Sequence, residues 1–144
     1  MREVTTATTN LVSKNSQGVS ANQASEEATI SGDGRYVAFD SDATNLVGSD
    51  TNGKKDVFVR DLLAKKTIRI SLTASGAQAT FGASRAPAIS ADGTHVAFSS
   101  MATNLVAADT SFDPDVFITP MPDPEPLPSW TRGPLPTPSY APRR

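Results

Sequence analysis

The feature that most limits what this chain can fold into is an internal repeat. Residues 30–39 read Ile-Ser-Gly-Asp-Gly-Arg-Tyr-Val-Ala-Phe, and residues 89–98 read Ile-Ser-Ala-Asp-Gly-Thr-His-Val-Ala-Phe. The matching segments are residues 30–39 and 89–98, 43–47 and 102–106, 56–58 and 115–117, and 13–18 and 71–76. The first three pairs lie 59 positions apart and the last lies 58 apart. This regular spacing predicts two equivalent structural units packed against each other.

Short apolar runs inside each copy predict strands. Residues 36–39 and 95–98 are continuously apolar over strand length, as are residues 57–59 and 116–118, which indicates that both faces of each sheet are covered. Residues 67–71 alternate instead, which predicts an outer strand with one side in water. Each unit is therefore predicted to be a four-stranded antiparallel meander, and the fold to be all-β.

The turn between the first two strands of each unit carries a specific signature. Ser-x-Asp-Gly occurs twice, ending at Gly34 and at Gly93. An aspartate at this place caps a tight turn, and glycine adopts the positive φ angle that such a turn needs. Asp33 and Asp92 are therefore predicted to serve the fold.

Four-stranded units that pack sheet on sheet are typical of β-propellers. The motif Ile-Ser-x-Asp-Gly-x-x-Val-Ala-Phe, then Ala-Thr-Asn-Leu-Val, then Asp-Thr-Asn-Gly-Lys-Lys-Asp-Val-Phe-Val-Arg-Asp at residues 50–61, resembles the TolB-like, WD40-like (PD40-type) repeats of bacterial propellers. The resemblance covers about residues 9–119, although residues 109–115 depart from the Asp-Thr-Asn-Gly pattern. It implies a partial propeller in a bacterial, often extracytoplasmic, setting. The implied function is a non-catalytic scaffold that binds a protein or a ligand; the alternatives are an accessory segment of a larger hydrolase or lyase, and a non-functional remnant.

The repeat also predicts the organisation of the chain. Residues 1–13 are assigned to an N-terminal segment whose residues 9–13 form the outer strand of a preceding or neighbouring blade. Residues 14–72 are the first blade, and residues 73–119 are a second blade without its outer strand. Residues 120–144 contain nine of the eleven prolines, which predicts a disordered tail. The proline run at 134–138 is read either as a plain linker or as a motif for a proline-binding domain.

Two blades alone share a single interface, which leaves two sheet faces without a cover. If each free face exposed roughly 400 to 600 Å² of apolar surface, about 10 to 15 kcal/mol of burial would be forgone. That is comparable with the whole stability of a domain, about 5 to 15 kcal/mol. The sequence therefore predicts either further propeller blades or a head-to-tail homo-oligomer, in which residues 9–13 complete a neighbour's second blade.

Composition excludes several classes of function. There are 13 Lys and Arg against 15 Asp and Glu, for a formal net charge of −2, which argues against nucleic acids and anionic membranes as partners. The absence of cysteine excludes disulfides, thiolate metal sites and cysteine nucleophiles. No apolar run approaches the length of a membrane-inserted helix, and the first residues lack the apolar stretch of a secretory signal.

One loop pattern resembles the start of a calcium-binding loop, with oxygen ligands at alternating positions and a glycine at the bend. The candidate ligands are Asp50, Asn52 and Asp56 in the first copy, and Asp109, Asp113 and Asp115 in the second. No glutamate closes the loop and two lysines lie inside the first copy, while Asp, Asn and Gly are also ordinary turn residues. Calcium binding and plain turn chemistry both remain open on the sequence.

The sequence offers no catalytic constellation, so no enzyme activity and no cofactor are predicted. The single histidine, His95, stands where Tyr36 stands in the first copy, which predicts a packing role. The arginines at positions 35, 60, 69 and 85 are scattered along the sequence, which predicts solvated side chains.

Overall fold

The structure is a computed structural model that describes residues 7–123, and every regular element in that range is a β-strand. The strands are β1 (Ser25–Ile30), β2 (Tyr36–Ser41), β3 (Asp56–Asp61), β4 (Lys66–Arg69), β5 (Ser84–Ile89), β6 (His95–Ser100) and β7 (Asp115–Pro120). They form a four-stranded sheet in the order β1-β2-β3-β4 and a three-stranded sheet in the order β5-β6-β7, with every pairing antiparallel. The all-β prediction is confirmed. Within residues 7–123 no helix is long and apolar enough to span a membrane.

The two sheets are built alike, down to their irregularities. The pairing of β1 with β2 slips between Glu26 and Thr29, and the pairing of β5 with β6 slips between Arg85 and Ala88. Inside each slip one residue adopts a positive φ angle, 48° at Glu27 and 54° at Ala86. The repeat in the sequence is therefore a repeat in the backbone.

Both predicted turns form as expected. Ser31 Oγ donates a hydrogen bond to Asp33 Oδ1 at 2.6 Å, and Ser90 Oγ donates to Asp92 Oδ1 at 2.7 Å. Gly34 and Gly93 have φ angles of 73° and 72°. Hydrogen bonds from Ser90 and Thr94 lower the pKa of Asp92 to about 2. These carboxylates cap their turns, as predicted.

The ends of the two units differ in detail from the prediction. The second unit lacks an outer strand among the described residues, as expected, but β7 continues through Pro120, so the tail does not begin there. Met121 packs against the buried cluster between the sheets, and its N–H donates to Thr94 O at 2.7 Å. The rest of the predicted tail, residues 124–144, lies outside the described residues, as do residues 1–6.

The strand predicted at residues 9–13 is not present in the described structure. A strand needs a partner edge, and within the described residues this segment has none. Val12 instead packs against the buried Phe39 and Phe58 on the outer side of the first sheet. The segment therefore covers its own sheet.

The two sheets pack face to face around one buried cluster. It combines side chains of β2, β3 and β4 with side chains of β6 and of the segments that flank β5 and β6. Its buried members are Ala38, Val57, Val59, Ile70, Ala79, Val96, Phe98, Ala102 and Leu105. The opposite side of the first sheet buries Phe39, Ala43, Leu46 and Phe58 beneath Val12, Ala21 and Val47. The centre of the first sheet is thus covered on both faces, as its apolar runs predict, whereas Ile30 on the edge strand β1 stays 59% exposed.

The prediction that the outer strand has a wet side is wrong for β4. Thr67 and Arg69 are buried, although they are the polar members of the alternating run. The N-terminal segment supplies partners, since Thr67 Oγ1 donates to Lys14 O at 2.6 Å and Arg60 Nη1 donates to Asn15 O at 2.9 Å. Arg60 and Arg69 were also predicted to be solvated, and they are only 3% and 7% exposed. Backbone oxygens of residues 14 and 15 therefore offset the cost of burying Thr67 and Arg60, whereas Arg69 donates to the carboxylate of Asp56 and to the backbone oxygen of Ser49.

Candidate interaction surface

The first three candidate calcium ligands come together around an arginine. Asp56 Oδ2 accepts hydrogen bonds from Arg69 Nη1 at 3.2 Å and from Asn52 Nδ2 at 2.8 Å. Asp56 Oδ1 accepts one from Ser71 Oγ at 2.6 Å. Arg69 Nη1 also lies 3.2 Å from Asp50 Oδ1. The loop and the outer strand are therefore joined by a buried polar cluster, which we call the Arg69 cluster (Asp50, Asn52, Asp56, Arg69 and Ser71).

Asp50 is the member of the Arg69 cluster whose burial is least compensated by polar contacts. Both of its carboxylate oxygens are buried, and the ion pair of Oδ1 with Arg69 Nη1 at 3.2 Å lacks good hydrogen-bond geometry. Burial, followed by the nearby charge of Asp56, raises the pKa of Asp50, while Arg69 opposes the rise. One guanidinium thus faces two carboxylates, and the unpaired charge falls mainly on Asp50.

This geometry favours turn chemistry over calcium in the first loop, because Arg69 already supplies the positive charge that a metal ion would bring. In the second loop, Asp113 and Asp115 are exposed and Asp109 is half-buried. The carboxylate of Asp109 accepts a hydrogen bond from the Ser111 N–H at 3.1 Å, as in an ordinary turn. Residues 7–123 contain no group of three or more His, Cys, Asp or Glu side chains placed to hold a metal ion.

Replacing Asp50 with asparagine is expected to stabilise the chain at neutral pH. The raised pKa means that the folded state binds the proton more tightly than the unfolded state, so wild-type stability falls as pH rises from 3.8 through the folded-state pKa. Asparagine removes this penalty, and we expect a gain of about 1 kcal/mol at pH 7.5 that disappears below about pH 4. Urea unfolding of both proteins at the two pH values measures it. A loss of stability at pH 7.5 would show that the Arg69–Asp50 pair outweighs the burial cost.

The packing role predicted for His95 is not found. His95 is exposed, and its Nδ1 lies 2.8 Å from Thr94 Oγ1 in the turn before β6. Its counterpart Tyr36 packs against the cluster between the sheets. The difference arises because Tyr36 faces the second sheet, whereas His95 belongs to the side of the second sheet that faces away from the first.

The side of the second sheet that faces away from the first exposes large apolar side chains, and we call it the free face (His95, Ala97, Val116 and Ile118). Val116 and Ile118 are 81% and 70% exposed. Their counterparts one repeat earlier, Val57 and Val59, are 0% and 1% exposed because the second sheet covers them. Apolar runs predicted to be covered on both faces are therefore covered on only one in the second sheet.

Sequence reasoning predicted that two units would leave sheet faces uncovered, but it did not identify Val116 and Ile118 as exposed residues of such a face, because they look like part of an ordinary buried strand. The signal was nevertheless available in the repeat. A unit with no following unit must expose the residues that the preceding unit buries. Contiguous exposed apolar side chains on a sheet are typical of interaction surfaces.

Polar contacts also fasten the first sheet to the second. Ala86 N–H donates to Asp40 Oδ2 at 3.1 Å, and Gly32 N–H donates to Ala91 O at 2.8 Å. Thr29 Oγ1 donates to Pro87 O at 3.3 Å. The free face is flanked at the equivalent places by Ser99 and Ala88, which lack the carboxylate of Asp40 and the hydroxyl of Thr29, and by Ala91, which has a backbone N–H as Gly32 does. It therefore retains the apolar contacts of the junction but keeps fewer of its polar ones.

Comparison with known proteins does not identify the chain: no family model, no curated protein and no solved structure matches it.

Proposed function

We propose that this chain is part of a TolB-like β-propeller and has no catalytic role, and that it serves as a scaffold that binds a protein or ligand partner. The observation that carries the proposal is the free face, whose Val116 and Ile118 stand exposed where Val57 and Val59 are buried. A partner on this face would repeat the contact that the second sheet already makes with the first.

The way the two sheets stack supports a propeller. The face of the first sheet that carries Val57 and Val59 packs on the face of the second sheet that carries Val96 and Phe98. The equivalents of those two residues in the first sheet, Val37 and Phe39, lie on the side turned away from the junction. The two sheets therefore stack through non-equivalent faces, as successive blades of a propeller do.

The fate of the polar residues supports a binding role. The repeated carboxylates Asp33 and Asp92 cap turns, and Asp56 is held by Arg69 and Ser71. These groups are engaged in holding the backbone. Val116 and Ile118 of the free face, by contrast, are exposed apolar side chains, so their burial is available as binding energy.

The proposal is tested by supplying the next blade. A chain in which a second copy of residues 62–120 directly follows Pro120 would place a third sheet on the free face. We expect backbone amides of β7 to become protected from hydrogen exchange and the unfolding midpoint to rise by at least about 5 °C.

A matched control separates stacking from mere lengthening of the chain. The same extended protein with Val116→Lys and Ile118→Lys keeps the added outer strand but charges the free face. We expect the gain in unfolding midpoint to be lost in this control. An added unit that leaves the midpoint and β7 exchange unchanged in the first protein would refute the propeller arrangement.

A further inference from the structure

We propose that the partner of the free face is a second copy of this chain, bound head to tail. The inference rests on the proposed function and names the occupant of its binding surface. The docking surface on the second copy is the outer side of its first sheet, which we call the tail surface (Leu11, Val12, Glu27, Ile30 and Gly34). Glu27, Ile30 and Gly34 have counterparts 59 residues later in the part of the second unit that meets the first sheet, and Leu11 and Val12 have counterparts 58 residues later at the end of the outer strand of the first sheet.

The tail surface has the features of an uncovered junction. Ile30 is 59% exposed, whereas its counterpart Ile89 packs against the cluster between the two sheets. A Cβ atom on Gly93 would lie 2.9 Å from the ring of Tyr36, whereas one on Gly34 would meet nothing within 4 Å. The place beside Gly34 is therefore open where its counterpart is filled by an aromatic ring.

The free face supplies a ring for that place. Tyr36 lies against Gly93 inside the chain, and His95 is the counterpart of Tyr36. In a head-to-tail pair, His95 of one copy would lie over Gly34 of the next. If the internal junction is repeated between two copies, the exposed imidazole of His95 therefore fills the empty space beside Gly34.

The open edge of the second sheet also matches the N-terminal segment. Within the chain, Ile70 N–H donates to Val57 O at 2.8 Å at the end of the outer strand. Val12 is the counterpart of Ile70, and Leu11 is the counterpart of Arg69, which pairs with Phe58 across β3 and β4. In the head-to-tail pair, Leu11 of one copy would cover Phe117 of the other.

Exposure at these positions agrees with that pairing. Phe58 is fully buried, while its counterpart Phe117 is only partly buried because no strand covers it. Leu11 is 53% exposed and carries an apolar side chain suited to an aromatic ring. Residues 9–13 therefore have no strand partner among residues 7–123 of their own chain but would find one on β7 of a neighbour.

Charge is complementary at the same junction. Within the chain, Ala86 lies next to Asp40, which pairs with Glu26 across β1 and β2. The corresponding positions between copies are Glu27 on the tail surface, and Ser99 with its cross-strand partner Arg85 beside the free face. A carboxylate of one copy would thus approach a guanidinium of the next.

A head-to-tail contact uses two different surfaces, so it closes into a ring or grows into a filament. Propellers have four to eight blades, and each copy contributes two. We therefore expect closed assemblies of two to four copies. The surface of each copy that is left exposed in isolation becomes internal in such a ring.

The experiment is light scattering of the purified full chain over a range of concentrations. We expect the wild type to have the mass of two to four copies. Ile118→Lys on the free face and Ile30→Lys on the tail surface should each shift the protein to monomer, because both replace exposed apolar side chains. Ser75→Lys, which adds the same charge in an exposed turn, should leave the mass unchanged.

A charge exchange tests the orientation of the contact. Arg85→Glu alone and Glu27→Arg alone should each weaken association by about tenfold, because like charges then meet. The double variant Arg85→Glu with Glu27→Arg should recover the wild-type mass. These exposed substitutions leave the buried clusters intact, so loss of association cannot be attributed to unfolding.

Three results would overturn the proposal: a monomeric wild type at high concentration, an oligomer that Ile118→Lys disrupts but Ile30→Lys does not, and failure of the double charge variant to recover association. The second result would indicate two free faces meeting each other. None of the three contradicts the proposed function, because the extended chain with a third sheet tests the free face without any second copy.

Discussion

Replacing Arg69 with leucine is expected to lower the free energy of unfolding by about 3 to 5 kcal/mol at pH 7.5, the cost of leaving buried charges without their partner. Asp50 and Asp56 both lie within 3.2 Å of Arg69 Nη1. Without the guanidinium, two neighbouring carboxylates would share one buried site. A loss of this size approaches the whole stability of a small domain, so much of the variant should be unfolded at 37 °C.

Urea unfolding at pH 7.5 and at pH 4.5 measures this effect. Loss of Arg69 removes the cation that opposes the raised pKa of Asp50, so the folded variant takes up a proton more readily and its deficit should shrink as pH falls. Adding Asp50→Asn to Arg69→Leu should recover part of the stability at pH 7.5, because one of the two unpaired charges is removed. A deficit that is the same at both pH values, and is not reduced by Asp50→Asn, would mean that Arg69 contributes through packing rather than charge.

Truncating Phe58 to alanine should also cost about 3 to 5 kcal/mol. Phe58 is fully buried in the centre of β3, and its ring stacks on Phe39 at a centroid distance of 5.9 Å. Its removal opens a cavity between the first sheet and the N-terminal segment that packs over it. Because Val12 belongs to that segment, we also expect the segment to detach more easily.

Phe112 provides the matched control for Phe58. It is 71% exposed in the loop before β7, so Phe112→Ala should change the stability by no more than about 0.5 kcal/mol. Thermal or urea unfolding of the two variants beside the wild type is sufficient. Equal effects at the two positions would contradict the assignment of Phe58 to a packed core.

Local patterns account for the parts of the fold that could be predicted. The turns at Gly34 and Gly93 depend on a few adjacent residues, and the strands that follow them are short apolar runs. Antiparallel strands that pair in sequence order need little long-range information. The repeat then transfers each local assignment from the first unit to the second.

The errors all concern contacts between segments that are distant in sequence. Thr67 and Arg60 are buried because residues 14–16 supply oxygen atoms from about 50 positions away. Arg69 could not be assigned to the calcium-like loop, since it lies on another strand. His95 occupies the position that Tyr36 occupies in the first unit, but the described residues provide no further sheet for it to pack against. In each case the sequence shows the type of the residue but does not show which distant residues contact it.

The order of strands in both sheets has a consequence for how the chain acquires its structure. Every strand pairs with the strand next to it in sequence, so each sheet can be completed from local encounters alone. The contact between the sheets requires two such units to exist already, so it belongs to a later step of folding. During synthesis from the amino terminus, the first sheet emerges before the second. The nascent chain therefore passes through a stage in which Val57 and Val59 are exposed to water. They become buried when the second sheet packs against the first.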